Sequence, residues 1–130
     1  MTLALDKFLL FVDDESTLVM LMKMSLKHRG IPVLTATSGE EALKIIEQDT
    51  THSIKVVFTD INMGKISGWE LIERCREVRD DLRFMVLTAE KDNTSQGAHL
   101  VAEGKLFGYF DKISANQQEM FGKCAEAMIA

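Results

Sequence analysis

The sequence predicts an α/β fold with a doubly wound sheet of five parallel strands. Five short apolar runs lack the polar alternation of a half-exposed strand, so we expect each to be a strand buried on both faces of the sheet. The segments between these runs are long enough for helices and carry helical periodicity, as repeated strand–helix units require. Polar residues follow four of the runs, at the sheet edge where open α/β folds bind ligands.

The strands are predicted from these runs of aliphatic and phenylalanine side chains. They cover residues 8–12, 33–36, 56–59, 84–87 and 106–110. The first strand ends at Asp13 and Asp14, and the third ends at Asp60. The fourth closes at Thr88, and Lys112 follows the fifth. Because these strands are parallel, we expect all five polar residues at one edge of the sheet.

The helices are predicted from capping signals. Gly30 is expected to end the first helix, since glycine readily adopts the left-handed conformation found there. Ser38 and Ser67 each stand three residues before a glutamate, which is the spacing of a capping box at the start of the second and third helices. The fourth helix, roughly residues 93–103, is the weakest because it contains a glycine and few apolar residues. A cap-like stretch at 114–117 opens the fifth helix.

Apolar stripes predict which helix side chains face the core. Trp69 is expected to pack at the start of the third helix. The side chains expected to face inward are Leu18, Leu21, Met22, Ser25 and Leu26 of the first helix, Ala42, Leu43, Ile45 and Ile46 of the second, Leu71, Ile72, Cys75 and Val78 of the third, and Met120, Phe121, Cys124 and Met128 of the last.

Length and composition predict one domain over residues 1–130 and exclude several classes of function. A net charge of −5 and an isoelectric point near 5.2 argue against direct nucleic-acid binding, which needs clustered Lys and Arg. Cys75 and Cys124 lie on apolar stripes, so we expect buried reduced thiols, which suit the cytoplasm. The apolar start is broken by charges, unlike a signal peptide, and no stretch is predicted to span a membrane.

The polar residues at the strand ends point to magnesium and phosphoryl chemistry. Asp13, Asp14 and Asp60 leave neighbouring strands, which lie about 5 Å apart. Unpaired, these carboxylates repel and raise one another's pKa, whereas Mg²⁺ would stabilise them. Lys112 and Thr88 offer a positive charge and a hydroxyl donor to a phosphoryl group. We also expect that Asn at position 13 or 60 would raise the melting temperature in metal-free buffer.

Each of these residues has an ordinary structural interpretation when it is taken alone. An acidic pair at a strand end often caps a helix and faces solvent. Tyr109 can be a strand aromatic that is half packed on the surface. The three histidines, His28, His52 and His99, show no spacing typical of metal ligands. The functional interpretation therefore depends on complementary groups coinciding at four strand ends.

Four motifs together resemble the receiver domain of two-component response regulators. They are FVDDE at 11–15, VFTDINM at 57–63, VLTA at 86–89 and YFDK at 109–112. In this order and spacing the combination is highly specific, and the resemblance covers essentially the whole chain. It implies a flavodoxin-like (βα)5 fold with strand order 2-1-3-4-5. It also implies a phosphorelay switch in two-component signal transduction that is not an enzyme, apart from self-dephosphorylation.

The resemblance also implies roles for the residues at the strand ends. Asp60 would accept the phosphoryl group from a phosphohistidine on a histidine kinase or phosphotransfer protein. Asp14, Asp60 and the backbone carbonyl of Asn62 would ligate Mg²⁺, with Asp13 acting through a water molecule. Lys112 would pair with the phosphoryl oxygens.

Switching and signal lifetime are implied at four positions. Thr88 would turn toward the phosphoryl group, and Tyr109 would follow it inward as the switch aromatic. The surface of the fourth helix, fifth strand and fifth helix would then regulate a partner or a fused output domain, or form a homodimer. A polar pair at Asn62 and Glu90 would flank the hydrolytic water and favour faster self-dephosphorylation.

Two departures from the family pattern leave alternatives open. Gly64 and Ile113 stand where receivers usually have proline, and without proline the Lys112–Ile113 bond is expected to be trans, because cis costs about 3 kcal/mol or more. A degenerate receiver that serves only for protein docking is one alternative. A metal-dependent phosphatase is another, although its D-x-D loop is absent. A nucleotide or flavin domain would need a glycine-rich loop that the first strand lacks.

Overall fold

The computed structural model describes residues 7–89 and 94–129, in which strands and helices alternate along the chain. The elements are β1 (Phe8–Val12), α1 (Ser16–His28), β2 (Val33–Ala36), α2 (Gly39–Gln48), β3 (Ile54–Thr59), α3 (Gly68–Val78), β4 (Arg83–Thr88), α4 (Thr94–Ala102), β5 (Gly108–Asp111) and α5 (Gln117–Ile129).

The five strands form one parallel sheet in the order β2-β1-β3-β4-β5, which confirms the predicted fold and strand order. Val12 lies opposite Thr59, so β1 and β3 end level with each other. At the other side of the sheet, Thr88 of β4 lies opposite Asp111 of β5. This register brings the carboxyl ends of β1, β3, β4 and β5, and the residues that follow them, to one edge of the sheet.

The strands are buried on both faces, which is why they are continuous apolar runs. Leu10 and Val57 belong to a core between the sheet and α2 and α3. Leu9 and Phe58 belong to a second core, which α1 and α5 cover on the opposite face. Helices α1, α2, α3 and α5 each contribute an apolar stripe to one of these cores, and Leu100 of α4 packs against the first. Together the two cores fix the sheet on which the strand ends converge.

Side chains cap three of the helices at the predicted places. Ser38 Oγ accepts a hydrogen bond from the Glu41 amide at 3.0 Å, and Ser67 Oγ accepts one from the Glu70 amide at 3.1 Å. At α2 the reciprocal bond of a full capping box is replaced by another: the Glu41 carboxylate accepts from the Thr37 amide at 2.7 Å and not from the serine amide. Asn116 caps α5 in the same way as the serines, through the Glu119 amide.

The structure corrects three details of the sequence-based picture. Leu21 is 55% exposed, because the inward stripe of α1 runs through Val19, which is buried, and not through position 21. Val78 at the end of α3 is 53% exposed, since the next residue, Arg79, turns into the interior in its place. The fifth strand spans Gly108–Asp111 and not 106–110, and Phe107 leads into it with its amide donating to the Phe84 carbonyl at 2.7 Å.

The expectations about thiols and membrane spans agree with the structure. Cys75 and Cys124 are buried and free, and burial raises the pKa of each thiol to about 12. In the part of the chain that the structure describes, no helix has both the length and the apolar character needed to cross a bilayer.

Arg79 ties together the loops at the amino ends of β3 and β4. Its side chain is only 2% exposed and bonds Asp49 at 2.7 Å and Asp81 at 2.7 Å. It also donates to the Ile54 carbonyl at 2.8 Å. The hydrogen bond from Arg79 lowers the pKa of Asp81 to about 2. The end of the sheet away from the strand-end acids is therefore closed by a fully paired cation.

Replacing Arg79 by methionine should destabilise the fold by about 3 kcal/mol or more, because it leaves a buried carboxylate and carbonyl without their donor. Chemical denaturation at neutral pH measures this loss. The matched control is Arg74→Met, which breaks an exposed pair with Glu70 worth about 0.5 kcal/mol or less. Equal losses in the two variants would contradict the role given to Arg79.

The ion pair of Arg79 with Asp81 predicts that stability depends on pH. The folded pKa of Asp81 is depressed, so its contribution to stability is present above its ordinary pKa, about 4, and is lost as the pH falls toward about 2. Acid denaturation curves should show this loss in the parent protein and a smaller one in Arg79→Met.

Candidate functional site

Three carboxylates converge at the carboxyl edge of the sheet. Asp13 and Asp14 follow β1, Asp60 follows β3, and one oxygen from each lies within 4.8 Å of the others. Asp13 is fully buried and Asp60 is 6% exposed, whereas Asp14 is open to solvent. The predicted convergence is therefore confirmed, with one accessible acid beside two buried ones.

Backbone amides hold the two buried carboxylates in place. Asp13 Oδ1 accepts a hydrogen bond from the Glu15 amide at 2.9 Å. Asp60 Oδ1 accepts one from the amide of Ile61 at 2.7 Å. The Asp60 amide itself donates to the Val12 carbonyl, which continues the pairing of β1 with β3. One oxygen of each acid is thereby oriented by the backbone, and the second oxygen points into the cluster.

The Lys112 ammonium contacts the two buried acids and a third carboxylate, that of Glu15. Its Nζ lies 2.8 Å from Asp13 Oδ2, 3.0 Å from Glu15 Oε1 and 3.2 Å from Asp60 Oδ2. The Lys112 amide donates to the Thr88 carbonyl at 2.8 Å, so the register of β4 with β5 delivers the side chain to the acids. Burial disfavours the charged ammonium, but hydrogen bonds to Asp13 and Glu15 outweigh it and raise the pKa of Lys112.

Asp60 lies in an environment that disfavours its charge. Burial raises the pKa of its carboxyl above the ordinary value, and the neighbouring charge of Asp13 raises it further. The charge of Lys112 offsets only part of this effect. The predicted cost of crowding thus falls on Asp60.

The other residues predicted for the site lie at several distances from the acid cluster. Thr88 is buried at the end of β4, next to the backbone of Lys112. Asn62 is exposed on the loop after β3. Tyr109 is half-buried, and its ring stacks on Trp69. Glu90 lies outside the described residues. The Lys112–Ile113 peptide bond is trans, as expected without proline.

Sequence reasoning missed two residues that shape the site. Glu15 is a third consecutive acid and provides one of the three carboxylates around Lys112. Gly68 lets the start of α3 approach the strand end, because a Cβ there would lie 2.0 Å from the Asp60 carbonyl oxygen. The Gly68 amide donates to the Ile61 carbonyl at 2.7 Å. The available signals were the acidic triplet at 13–15 and a glycine directly after the serine cap.

The donor set fits a hard divalent cation. All the available ligand atoms are carboxylate or backbone oxygens, which Mg²⁺ prefers. Lys112 offsets only part of the unfavourable charge at Asp60, so a cation held with the help of the exposed Asp14 would relieve the remaining repulsion in the cluster. Within the described residues, this is the one group of three or more potential metal-ligating side chains, and it contains no histidine.

Comparisons with known proteins agree with this geometry. A family model described as the response regulator receiver domain matches residues 9–121. "Response regulator SaeR" of Staphylococcus epidermidis is 34% identical over 82 residues, which cover 63% of this chain and 34% of that protein. "Probable transcriptional regulator ycf27" of Cyanidium caldarium is 41% identical over 86 residues, covering 65% and 32%. The chain thus matches about a third of the length of these relatives.

Solved structures give the same result. A response regulator receiver domain protein from Clostridium thermocellum superposes with a TM-score of 0.81 at 30% identity, covering 95% of this chain and 94% of the other. The response regulator TrrA from Thermotoga maritima, crystallised with Mg²⁺ and BeF, gives a TM-score of 0.75 at 31% identity, covering 93% and 98%.

The electrostatics of the acid cluster predict that Asp60→Asn stabilises the metal-free protein at pH 7. The folded pKa of Asp60 is raised, so its ionised form destabilises the fold at neutral pH, and the neutral amide removes that cost. The measurement is the melting temperature in chelator, where 1 kcal/mol corresponds to roughly 4 °C. The gain should shrink as the pH falls through the raised pKa of the folded carboxyl, and it should vanish below the ordinary aspartate value of about 4, where the carboxyl is protonated in both states.

Asp13→Asn is the comparison variant for the melting temperature of Asp60→Asn. The structure changes the earlier expectation for this variant, because Asp13 is the nearest partner of Lys112 and its loss weakens that pair. We now expect no gain in melting temperature from Asp13→Asn. A lower melting temperature for Asp60→Asn than for the wild type in chelator would contradict the account of the cluster.

Proposed function

The chain belongs to the response regulator receiver domain family of two-component signalling, and we propose on that basis that Asp60 is its phosphoacceptor. The donor would be the phosphohistidine of a histidine kinase or phosphotransfer protein. The observation that carries the proposal is the position of Asp60, whose carboxylate lies 3.2 Å from the Lys112 ammonium and has an oxygen within 4.8 Å of one from the accessible acid Asp14.

The reaction is an in-line displacement at phosphorus. A carboxylate oxygen of Asp60 attacks the phosphorus while the bond to the donor imidazole nitrogen breaks, and that nitrogen leaves with the bonding pair. Such transfers need positioning and charge neutralisation more than covalent chemistry. Mg²⁺, held by Asp14, Asp60 and the Asn62 carbonyl, with Asp13 through water, would supply part of that neutralisation when bound.

Lys112 and Thr88 would stabilise the transferred group. Lys112 carries its positive charge throughout, since its pKa is raised, and it lies 3.2 Å from the Asp60 oxygen nearest to it. Its bonds to Asp13 and Glu15 keep the ammonium beside the reacting carboxylate. The Thr88 hydroxyl, at the end of the adjacent strand, would donate to another phosphoryl oxygen.

The output would be a shift between two arrangements of the α4–β5–α5 surface. A phosphoryl group can favour one arrangement only by contacting it better than the other, and Thr88 and Tyr109 connect the site to that surface. A downstream partner, a fused output domain or a second copy in a homodimer would read the change. The matched region covers only about a third of the relatives' length. The downstream target is therefore proposed here and is not inferred from those relatives. We place the reaction in the cytoplasm, in keeping with the free thiols.

Asn62 is proposed to tune the lifetime of the phosphorylated state. Its side chain is exposed two residues beyond Asp60, and the family resemblance implies that a residue there would flank the path of a hydrolytic water. Glu90, the second member of the proposed pair, lies outside the described residues.

The phosphoacceptor assignment predicts a covalent adduct. Incubation with Mg²⁺ and acetyl phosphate should add the mass of one phosphoryl group to the wild type, measured on the intact protein. Asp60→Asn should abolish the adduct, whereas Asp80→Asn, an exposed acid outside the cluster, should leave it unchanged. A wild-type protein that forms no adduct would instead favour the docking module without phosphotransfer.

The tuning role predicts that Asn62→Met slows the decay of the phosphorylated form severalfold, because an apolar side chain cannot orient the attacking water. The time course of adduct loss after removal of the donor measures the rate. Lys65→Met introduces the same side chain at an exposed position of the same loop and should decay like the wild type. Identical decay in all three proteins would exclude the role of Asn62.

A further inference from the structure

A basic cavity lies at the amino edge of the sheet, away from the strand-end acids. It has a volume of about 660 Å³ and is bounded by α3, the start of β4, the segment from α4 to β5, and α5. Among the described residues that line it, one is acidic, Asp80, and five are cationic: Arg76, Arg79, Arg83, Lys105 and Lys123. The whole chain has the opposite bias, with 15 Lys and Arg against 20 Asp and Glu. Since Arg79 is already paired with two acids, four cations remain around the cavity.

Aromatic rings and a backbone carbonyl hold two of these cations. The Arg76 guanidinium lies 5.1 Å from the centroid of the Phe84 ring and donates to the Lys105 carbonyl. Lys123 Nζ lies 5.4 Å from the centroid of the Phe107 ring. Such contacts orient a cation without neutralising it. Among the described residues no acid forms an ion pair with Arg76, so its charge stays available to a ligand.

Acids compensate little of the other charge around the basic cavity. Arg83 is half-buried at the first position of β4 and forms no ion pair with any acid that the structure describes. Lys105 is 3.5 Å from Glu103, and Lys123 is 3.3 Å from Glu126. Both lysine pairs are exposed, and exposed pairs are weak enough for an incoming anion to replace them.

The size and lining of the basic cavity fit a small organic anion. Binding sites for small molecules typically have volumes of about 300–1,000 Å³ and combine apolar walls with a few placed polar groups. Leu82, Phe84 and Leu106 line this cavity and are buried, so its wall has an apolar part beside the cations. Each phosphoryl group offers three strong acceptor oxygens, which suits cations that converge from four segments of the chain.

We propose that the basic cavity binds a soluble organic diphosphate of nucleotide size. Arg76, Arg83, Lys105 and Lys123 bind the phosphates, and the apolar part of the wall contacts the organic body of the ligand. This site goes beyond the proposed function, because it lies at the opposite edge of the sheet from Asp60 and requires neither phosphotransfer nor Mg²⁺.

Titration with adenosine diphosphate in chelator, at constant ionic strength, tests the site through amide chemical shifts. We expect saturable shifts at submillimolar ligand, concentrated at residues 76–84, 104–107 and 123. Adenosine should give none because it lacks phosphate, and pyrophosphate should bind more weakly because it lacks the organic body. Shifts that are absent, or that are concentrated at residues 13–15 and 60–62, would overturn the proposal. Pyrophosphate binding as tight as that of the nucleotide would contradict the assigned ligand class.

Arg76→Gln has a matched control in the same helix. It should weaken binding of adenosine diphosphate tenfold or more, whereas Arg74→Gln changes an exposed arginine outside the cavity and should bind like the wild type. Arg83→Gln should weaken binding as Arg76→Gln does, with circular dichroism establishing that each variant is folded. Unchanged affinity in Arg76→Gln, or equal losses in Arg76→Gln and Arg74→Gln, would reject the site. Arg76 is exposed, so its variant decides the question if Arg83→Gln does not fold.

Two other anionic partners are distinguished by separate measurements. Cosedimentation with phosphatidylglycerol vesicles tests a lipid headgroup, and titration with a polyglutamate peptide tests an acidic protein segment. We expect neither to bind in a way that depends on Arg76. Binding of either one that Arg76→Gln abolishes, without binding of adenosine diphosphate, would replace the proposal. All these measurements are made without a phosphodonor, so their result does not depend on whether Asp60 accepts a phosphoryl group.

Discussion

The register of a parallel sheet forces carboxylates from separate strands together, and the charge of Lys112 makes their proximity tolerable. Val12 and Thr59 end level in the sheet, so the acids that follow them cannot separate without breaking the pairing of β1 with β3. Lys112 reaches this point because its own strand is paired with β4. The rest of the structure depends on this constraint, since two apolar cores must hold the sheet rigid against repulsion at its edge.

The two ends of the sheet use the same residue types with opposite energetic effects. At the amino end, Arg79 is matched by acids on both sides, and the pKa of Asp81 is depressed by its hydrogen bond. At the carboxyl end, burial and Asp13 raise the pKa of Asp60. The first arrangement stabilises the fold, whereas the second leaves a carboxylate whose charge is poorly compensated. Perturbed groups of the second kind are the ones that gain most from binding a cation or reacting with an electrophilic phosphorus.

Much of this arrangement could be predicted from the sequence, because a buried strand is a continuous apolar run and its end is marked by the first polar residue. The bounds of β1 and β2 follow directly from that rule. The rule fails at β5, where Leu106 is buried beside the sheet without belonging to it. The convergence of Asp13, Asp14, Asp60 and Lys112 followed from topology alone. The ion pair of Glu15 with Lys112 did not, since it joins residues 97 positions apart and depends on two side-chain conformations. The basic cavity likewise depends on how α3, α4 and α5 pack around one edge of the sheet.

The most direct test of the central claim is a Mg²⁺ titration followed by amide chemical shifts. We predict saturable shifts at millimolar Mg²⁺ that are concentrated at residues 13–15 and 60–62 and that are greatly weakened in Asp14→Asn, because this substitution removes the accessible carboxylate. Shifts that are absent, spread evenly over the acidic surface or unchanged in Asp14→Asn would contradict the claim that the strand-end acids form a cation site.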